Sequence, residues 1–371
     1  MISIKYITNV RIPTPRAQGF AIMKVCEEFA NRDVNVDLII PKRKESSEDP
    51  FKYYGIKNNF NIIKSHCFDL LGKTFKFGKI FYWMDILSFL VLLKLSGKIA
   101  KNNVIYSRDF VTALFFSKNK LFLELHDIPK SKFFFLKALR ISQAIFVLNQ
   151  NIKNKIIEIG IDQNKIFISP SGVDLKEFDI KLSQKEAREK LKLPVEKKIV
   201  LYTGHFYPWK GVDTIARVAV SMPDTLFIFV GGIGKELEDY SKKYNKYKNI
   251  IFNGFIPRHN IPAYLKSADV LVAPYSSHEN IASFYTSPLK IFEYMASRRP
   301  IVASDLSSLR QVLNEKNSVF AKPDDTESFS LSIEKILGDN SLYEKISNQA
   351  FLDVSNYTWK KKVEDILNNI K

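Results

Sequence analysis

Three places in this 371-residue chain pair a residue type with a spacing that could do chemistry. The first is the run Ser287-Pro288-Leu289-Lys290-Ile291-Phe292-Glu293-Tyr294-Met295-Ala296. Ser287 suits an N-cap and Pro288 the first helical position, while Leu289, Phe292 and Met295 recur at helical spacing. A helix that begins so abruptly presents unpaired backbone N–H groups and its positive dipole end, a ready site for a phosphate. Glu293, in the second turn, is placed to accept hydrogen bonds from hydroxyls on whatever carries that phosphate. The competing reading is a capped core helix with a Lys290–Glu293 surface pair, and this stretch alone does not separate the two.

The second place is Lys210, in the loop Gly204-His205-Phe206-Tyr207-Pro208-Trp209-Lys210-Gly211 behind an apolar run. Its ammonium could meet a phosphate held at the first site, making a cationic, N–H-rich cradle for a diphosphate. The loop does not follow the G-x-x-x-x-G-K-[ST] pattern of a P-loop. No Asp-x-Asp pair occurs anywhere, so a departing diphosphate would lean on protein cations and helix N–H groups. The third place is His126, in Glu124-Leu125-His126-Asp127 at the end of an apolar run. A lone histidine is more often structural than catalytic.

The elements that must position these residues alternate between strand and helix patterns. Residues 2–8 predict a buried strand, 9–19 a polar loop, 20–30 a helix and 34–40 a second strand, the opening of a Rossmann-like parallel sheet. The first loop has no G-x-G-x-x-G, since Gly19 stands alone, which argues against a dinucleotide site there. Residues 41–79 read as irregular and basic. The apolar stretch 80–95 contains Asp85 and Lys94, and its uncharged run is too short to span a bilayer. It is expected to be a core helix, with a shallow membrane-facing role for it and the basic aromatic segment beside it as the alternative. Short strands are expected at 104–107, 121–125, 145–148 and 166–168. A charged segment at 179–198, with a helix near 183–191, marks a domain boundary. A second α/β series follows, with strands at 199–203, 226–230, 250–253, 270–273 and 300–303. Each of its strands runs into a Gly- or Pro-containing loop, so the loops should gather on one sheet edge.

Composition narrows the class. A content of 46% hydrophobic and 26% charged residues fits a globular protein of two domains, not a disordered chain. Two cysteines, Cys26 and Cys67, make neither a metal pattern nor a disulfide framework, and five histidines give little for a zinc cage. No cleavable apolar leader is read at the N-terminus, so a cytoplasmic location is expected. The formal charge is +17, and residues 1–180 carry 28 Lys and Arg against 17 Asp and Glu. That excess points to an anionic partner: a phosphate-bearing substrate, a membrane surface or nucleic acid.

The motifs together resemble one known family. The run SPLKIFEYMASRRPIVASDL (287–306), with LYTGHFYPWKGVDTI (201–215) and NGFIPRHNIPAYLKSADVLVAPY (253–275), is similar to glycosyltransferase family 4. RIPTPRAQGFAIMKVCEEFA (11–30), ELHDIPK (124–130) and PSGVDLKEF (170–178) stand where that family has its counterparts. The resemblance covers nearly the whole chain. It implies an α/β protein of GT-B fold, two Rossmann-like domains whose parallel sheets face each other across a cleft. An acceptor domain would span residues 1–178 together with a C-terminal helix at 357–371, and a nucleotide-sugar donor domain residues 179–356. The implied activity is retaining, metal-independent transfer from a nucleotide sugar to an acceptor hydroxyl, with no cofactor beyond that co-substrate. The acceptor would be a saccharide or lipid-linked precursor of a cell-envelope polysaccharide, met in the cytoplasm with peripheral contact on an anionic inner membrane face left open.

Carried over by position, Lys210 would bind the donor diphosphate and Glu293 the nucleotide ribose. The backbone of Thr286 and Ser287 would cradle phosphate, and that around Ile256 would touch the base. Gly204 and His205 would line the donor loop, Gly19 would let the first loop approach diphosphate and acceptor, and His126 would sit over the transferred sugar. Two positions depart from the pattern. His205 stands where the family has an arginine, and a histidine carries full charge only below its pKa of about 6.5. Tyr285 replaces the first of the paired glutamates, the usual contact to the donor-sugar hydroxyls, with Glu279 or His278 as stand-ins, so the sugar is not specified. The other readings are a nucleotide-sugar epimerase of the same fold and a non-catalytic basic module on membranes or nucleic acid.

Overall fold

The computed structural model describes residues 2–43, 48–69, 78–129, 132–285 and 289–370, with backbone alone at 78, 79 and 281. The chain divides into two compact units, one of residues 1–170 with 359–371 and one of residues 171–358.

In the first unit seven parallel strands form one sheet. They are β1 (Ser3–Ile7), β2 (Asn35–Pro41), β3 (Asn61–Ser65), β4 (Val104–Ser107), β5 (Lys120–Leu125), β6 (Ala144–Val147) and β7 (Ile166–Ile168). Their order is β3-β2-β1-β4-β5-β6-β7. The central strands are continuous Ile-, Leu- and Phe-rich runs because helices cover both of their faces. β3 lies within the stretch that reads as irregular in the sequence; it is an edge strand with a mixed polar pattern and gives little periodic signal.

The C-terminal helix Trp359–Ile370 belongs to this unit. Trp359 meets Phe20 edge-on with ring centroids 6.2 Å apart. Lys362 Nζ donates to Ser169 O at 2.9 Å and lies 3.4 Å from Glu124 Oε1.

The helix Gly78–Leu95 departs from the core-helix expectation. Asp85, Ile86, Phe89, Leu90 and Leu93 are buried, with Asp85 accepting from Arg43, which also donates to Asn9 O at 2.9 Å. The opposite face exposes Ile80, Trp83, Met84, Leu87, Val91 and Leu95. A helix laid on a sheet can bury only one stripe, and this one is apolar on both sides. Among the described residues no helix is long and apolar enough to cross a membrane.

The second unit has six parallel strands: β8 (Ile199–Thr203), β9 (Leu226–Val230), β10 (Ile250–Asn253), β11 (Val270–Ala273), β12 (Ile301–Ser304) and β13 (Val319–Ala321). The order β10-β9-β8-β11-β12-β13 reverses direction between β8 and β11. The loops that leave the carboxyl ends of these two neighbours diverge, and such a switch point is where open α/β sheets hold ligands. The helix Leu289–Ala296 packs behind them, with residues 290–296 all buried. Tyr294 fastens it to the sheet, its hydroxyl accepting from Thr203 N at 2.8 Å.

Replacing Tyr294 by Phe leaves that buried N–H unsatisfied. The expected loss is about 1–2 kcal/mol, seen as a lower denaturation midpoint with an unchanged denaturant slope.

Candidate active site

The loop after β8 is set by close backbone contacts. Gly204 N donates to Val230 O at 2.8 Å, and Lys210 N to Tyr207 O at 2.8 Å in the short turn Pro208–Lys210. Gly211 has φ 68°, and a Cβ there would lie 1.6 Å from Pro274 O. Only glycine lets this loop press against the segment leaving β11. Ser276 N donates to Trp209 O at 3.0 Å and completes the seam.

That seam fixes Lys210. Its Nζ donates to Tyr275 Oη at 3.2 Å and lies 3.9 Å from the Trp209 ring centroid and 4.6 Å from that of Tyr275. Burial pushes its pKa down to about 7. Lys290 approaches the same tyrosine from the helix Leu289–Ala296. Its Nζ is 4.0 Å from the Tyr202 centroid and 4.6 Å from that of Tyr275. The surface-pair alternative for Lys290 and Glu293 is overturned, since each is 8% exposed.

Glu293 Oε1 accepts from Arg258 Nη1 at 2.8 Å, while Arg258 Nη2 donates to Glu177 Oε2 at 2.9 Å. The arginine therefore joins three segments: the approach to the unit, the loop after β10 and the buried helix. Burial pulls Glu177 above the usual carboxylate range and Arg258 draws it back. Ile256, two residues before Arg258, is half-buried against the core. His205 stacks on Tyr207 with ring centroids 5.2 Å apart, and its carbonyl accepts from Tyr202 Oη at 2.7 Å. Tyr285 closes the wide turn Ile281–Tyr285, its ring 6.4 Å from that of Phe284. Of the proposed stand-ins, His278 is exposed, its Nε2 3.8 Å from Asp324 Oδ2. Thr286 and Ser287, expected to cradle phosphate, lie outside the described residues, and so does the helix-capping reading built on Ser287 and Pro288.

In the first unit His126 Nε2 pairs with Glu124 Oε1 at 2.7 Å. Burial and then the nearby Arg108 push His126 down to about 4, against the pull of Glu124, so the imidazole is neutral at ordinary pH. Glu124 also accepts from Tyr106 Oη, and Lys362 helps hold it well below the usual carboxylate range despite its burial. Gly19 is not in a loop, as expected, but in the first turn of the helix Ala17–Ala30. A Cβ there would lie 2.2 Å from Tyr54 Oη, so glycine serves helix packing at this point. Among the described residues no group of three or more His, Cys, Asp or Glu side chains could hold a metal ion.

Sequence reasoning missed Lys290, Arg258, Glu177 and the aromatic walls Tyr202, Trp209 and Tyr275. The one available signal was position: Lys290 lies one helical turn before Glu293, within an otherwise apolar run.

Residues 183–353 match the family model described as glycosyl transferases group 1. An uncharacterised glycosyltransferase of Methanocaldococcus jannaschii is 25% identical over 241 residues, 61% of this chain and 59% of that protein. The Escherichia coli UDP-Gal:alpha-D-GlcNAc-diphosphoundecaprenol alpha-1,3-galactosyltransferase is 26% identical over 238 residues, again 61% and 59%. The match thus spans about three-fifths of these relatives. Anabaena HepE, solved in complex with UDP and glucose, superposes with a TM-score of 0.75 at 14% identity over 99% of this chain and 100% of that one. The chain therefore has the GT-B fold of two Rossmann-like units, and its residues 183–353 are similar to the glycosyl transferases group 1.

Arg258→Met should destabilise the protein by about 2–4 kcal/mol at pH 8, because two partly buried carboxylates lose their shared cation. Glu177 then titrates above its unfolded value. A raised carboxyl favours the folded state while protonated, so the penalty grows as pH rises and shrinks towards pH 5. Denaturation midpoints of the variant and the parent at pH 5 and pH 8 check this.

Proposed function

We propose that this chain transfers a glycosyl unit from a nucleotide sugar to an acceptor hydroxyl, with retention and without a metal. The observation that carries the reading is the pairing, at the β8/β11 switch point, of a lysine with no carboxylate hydrogen bond among the described residues and a glutamate on the adjoining buried helix. Lys210 supplies positive charge for a leaving diphosphate. Glu293, oriented by the bond from Arg258 to its Oε1, accepts from the ribose hydroxyls. The group 1 domain match over the same residues supports the assignment.

In the reaction the bond from the sugar C1 to the diphosphate oxygen breaks. A bond from C1 to the acceptor oxygen forms on the same face. The acceptor proton passes to the departing phosphate oxygen, so no enzymic nucleophile is needed. Lys210 acts on the charge that develops as the phosphate leaves, where a preplaced ammonium in a water-poor setting is most effective. His126 enters this reading as a neutral hydrogen-bonding group towards the transferred sugar, held by Glu124. Tyr285 leaves the sugar open.

A lipid-linked acceptor fits the exposed apolar face of the helix Gly78–Leu95 and the basic balance of the first 180 residues. A surface of that kind settles at the interface of an anionic bilayer. The relative that acts on a diphosphoundecaprenol-linked sugar is consistent with it.

Two measurements check the reading. In a thermal-shift series with UDP, GDP, ADP and their sugars, one nucleotide series should raise the melting temperature equally with and without EDTA. Lys210→Ala should then lower kcat/KM for transfer on the order of 100-fold. Near-normal turnover by that variant would refute the role of Lys210.

A further inference from the structure

The buried helix places a second lysine close to Lys210, and among the described residues no carboxylate hydrogen-bonds to it. Lys290 is 8% exposed, and its Nζ has no hydrogen-bond partner among the described residues. Its surroundings are aromatic faces, Tyr202 on one side and Tyr275 on the other. Tyr275 also borders Lys210, so the two ammonium groups share one ring. The nearby carboxylate, Glu293, is engaged by Arg258. A buried cation without a counter-charge is costly, and ring faces return only about 0.5–2 kcal/mol each. A fold keeps such an arrangement where a ligand supplies the missing charge.

We propose that Lys290 and Lys210, walled by Tyr202, Trp209 and Tyr275, form a two-ammonium seat for the diphosphate of a nucleoside diphosphate. Lys290 supplies the second cation that position 205, a histidine stacked on Tyr207, does not. The inference rests on the donor-site reading above and adds to it a residue and a charge count. It also explains why the two residues are placed by different segments. The loop after β8 brings Lys210 and the buried helix brings Lys290, so the seat exists only when both are docked at the switch point.

The seat has a protonation consequence. Burial, and then the charge of Lys210, push Lys290 well below the usual lysine range, with Glu293 pulling the other way. The other ionisable groups around the pair, Tyr202, Tyr275 and Tyr294, are held protonated by burial. An arriving diphosphate is therefore met by lysines that gain protons as it binds.

The test is calorimetric titration at pH 8 of the wild type, Lys290→Met and Lys290→Gln. The ligands are UDP, GDP and ADP, the matching nucleosides, and inorganic pyrophosphate, with melting temperatures of the free proteins measured in parallel. Both variants should bind the preferred nucleoside diphosphate at least about 10-fold more weakly, and its nucleoside within about twofold. The free Lys290→Met protein should melt no lower than the wild type, because a buried charge has been removed. Nucleoside diphosphate binding within twofold of wild type would overturn the seat while leaving the donor reading intact. An equal loss for the nucleoside would also overturn it, by showing a purely structural role. If the wild type bound pyrophosphate through Lys290 but no nucleotide, the two lysines would remain an anion site, but the nucleoside diphosphate seat and the donor reading would fall. If it bound neither, both would fall.

Discussion

Two buried lysines to which no described carboxylate hydrogen-bonds are the constraint on which the second unit depends. Lys210 and Lys290 stand against shared aromatic faces where water is scarce and no carboxylate hydrogen-bonds to them among the described residues. Everything nearby serves to keep them there. Gly211 allows the backbone approach that fixes Lys210, and Tyr294 ties the helix carrying Lys290 to β8. Arg258 takes up Glu293, which would otherwise be the natural partner for a lysine one turn away on the same helix. The packing thus keeps the two lysines apart from the carboxylate, which on the proposed reading separates the diphosphate end from the group that meets the hydroxyls.

The first unit follows the opposite course. There Glu124 gathers Tyr106, His126 and Lys362, and its charge is fully answered within the fold. Lys362 comes from the C-terminal helix, so the last turns of the chain set the environment of a histidine 236 positions earlier in the sequence. Burial keeps the imidazole neutral against the pull of Glu124, whose hydrogen bond directs it. A satisfied network gives rigidity, whereas an unsatisfied pair of cations gives affinity for an anion.

Most of the strand positions in the second unit were legible because its strands are continuous apolar runs, several of them closed by Gly or Pro. Ile199–Thr203, Leu226–Val230 and Ile250–Asn253 are as expected from that signal. β3 and β13 were missed, one an edge strand with mixed polarity and the other three residues long. The helix Gly78–Leu95 misled because apolar residues surround it on every side, a pattern that reads as core whichever face the sheet covers. Gly19 misled in the other direction: a glycine looks like a loop, but here it admits Tyr54 against a helix.

At the site, Lys210 and Glu293 stood out because loop, lysine and helix follow one another in a recognisable order. Lys290 did not, because a lysine in an amphipathic helix ordinarily faces solvent, and only the burial of both helix faces reverses that. Arg258 and Glu177 were invisible for a related reason. Their meeting joins positions 81 residues apart, which no local pattern reports.

The most direct measurement is an NMR titration of the lysine side chains, 13C-labelled at Cε and assigned through Lys210→Met and Lys290→Met, at pH 8 with the preferred nucleoside diphosphate. The account predicts that both resonances start short of the ammonium value and move to it together as the ligand saturates. Resonances of Lys210 and Lys290 that already report full ammonium in the free protein, or that stay unmoved at saturation, would contradict it.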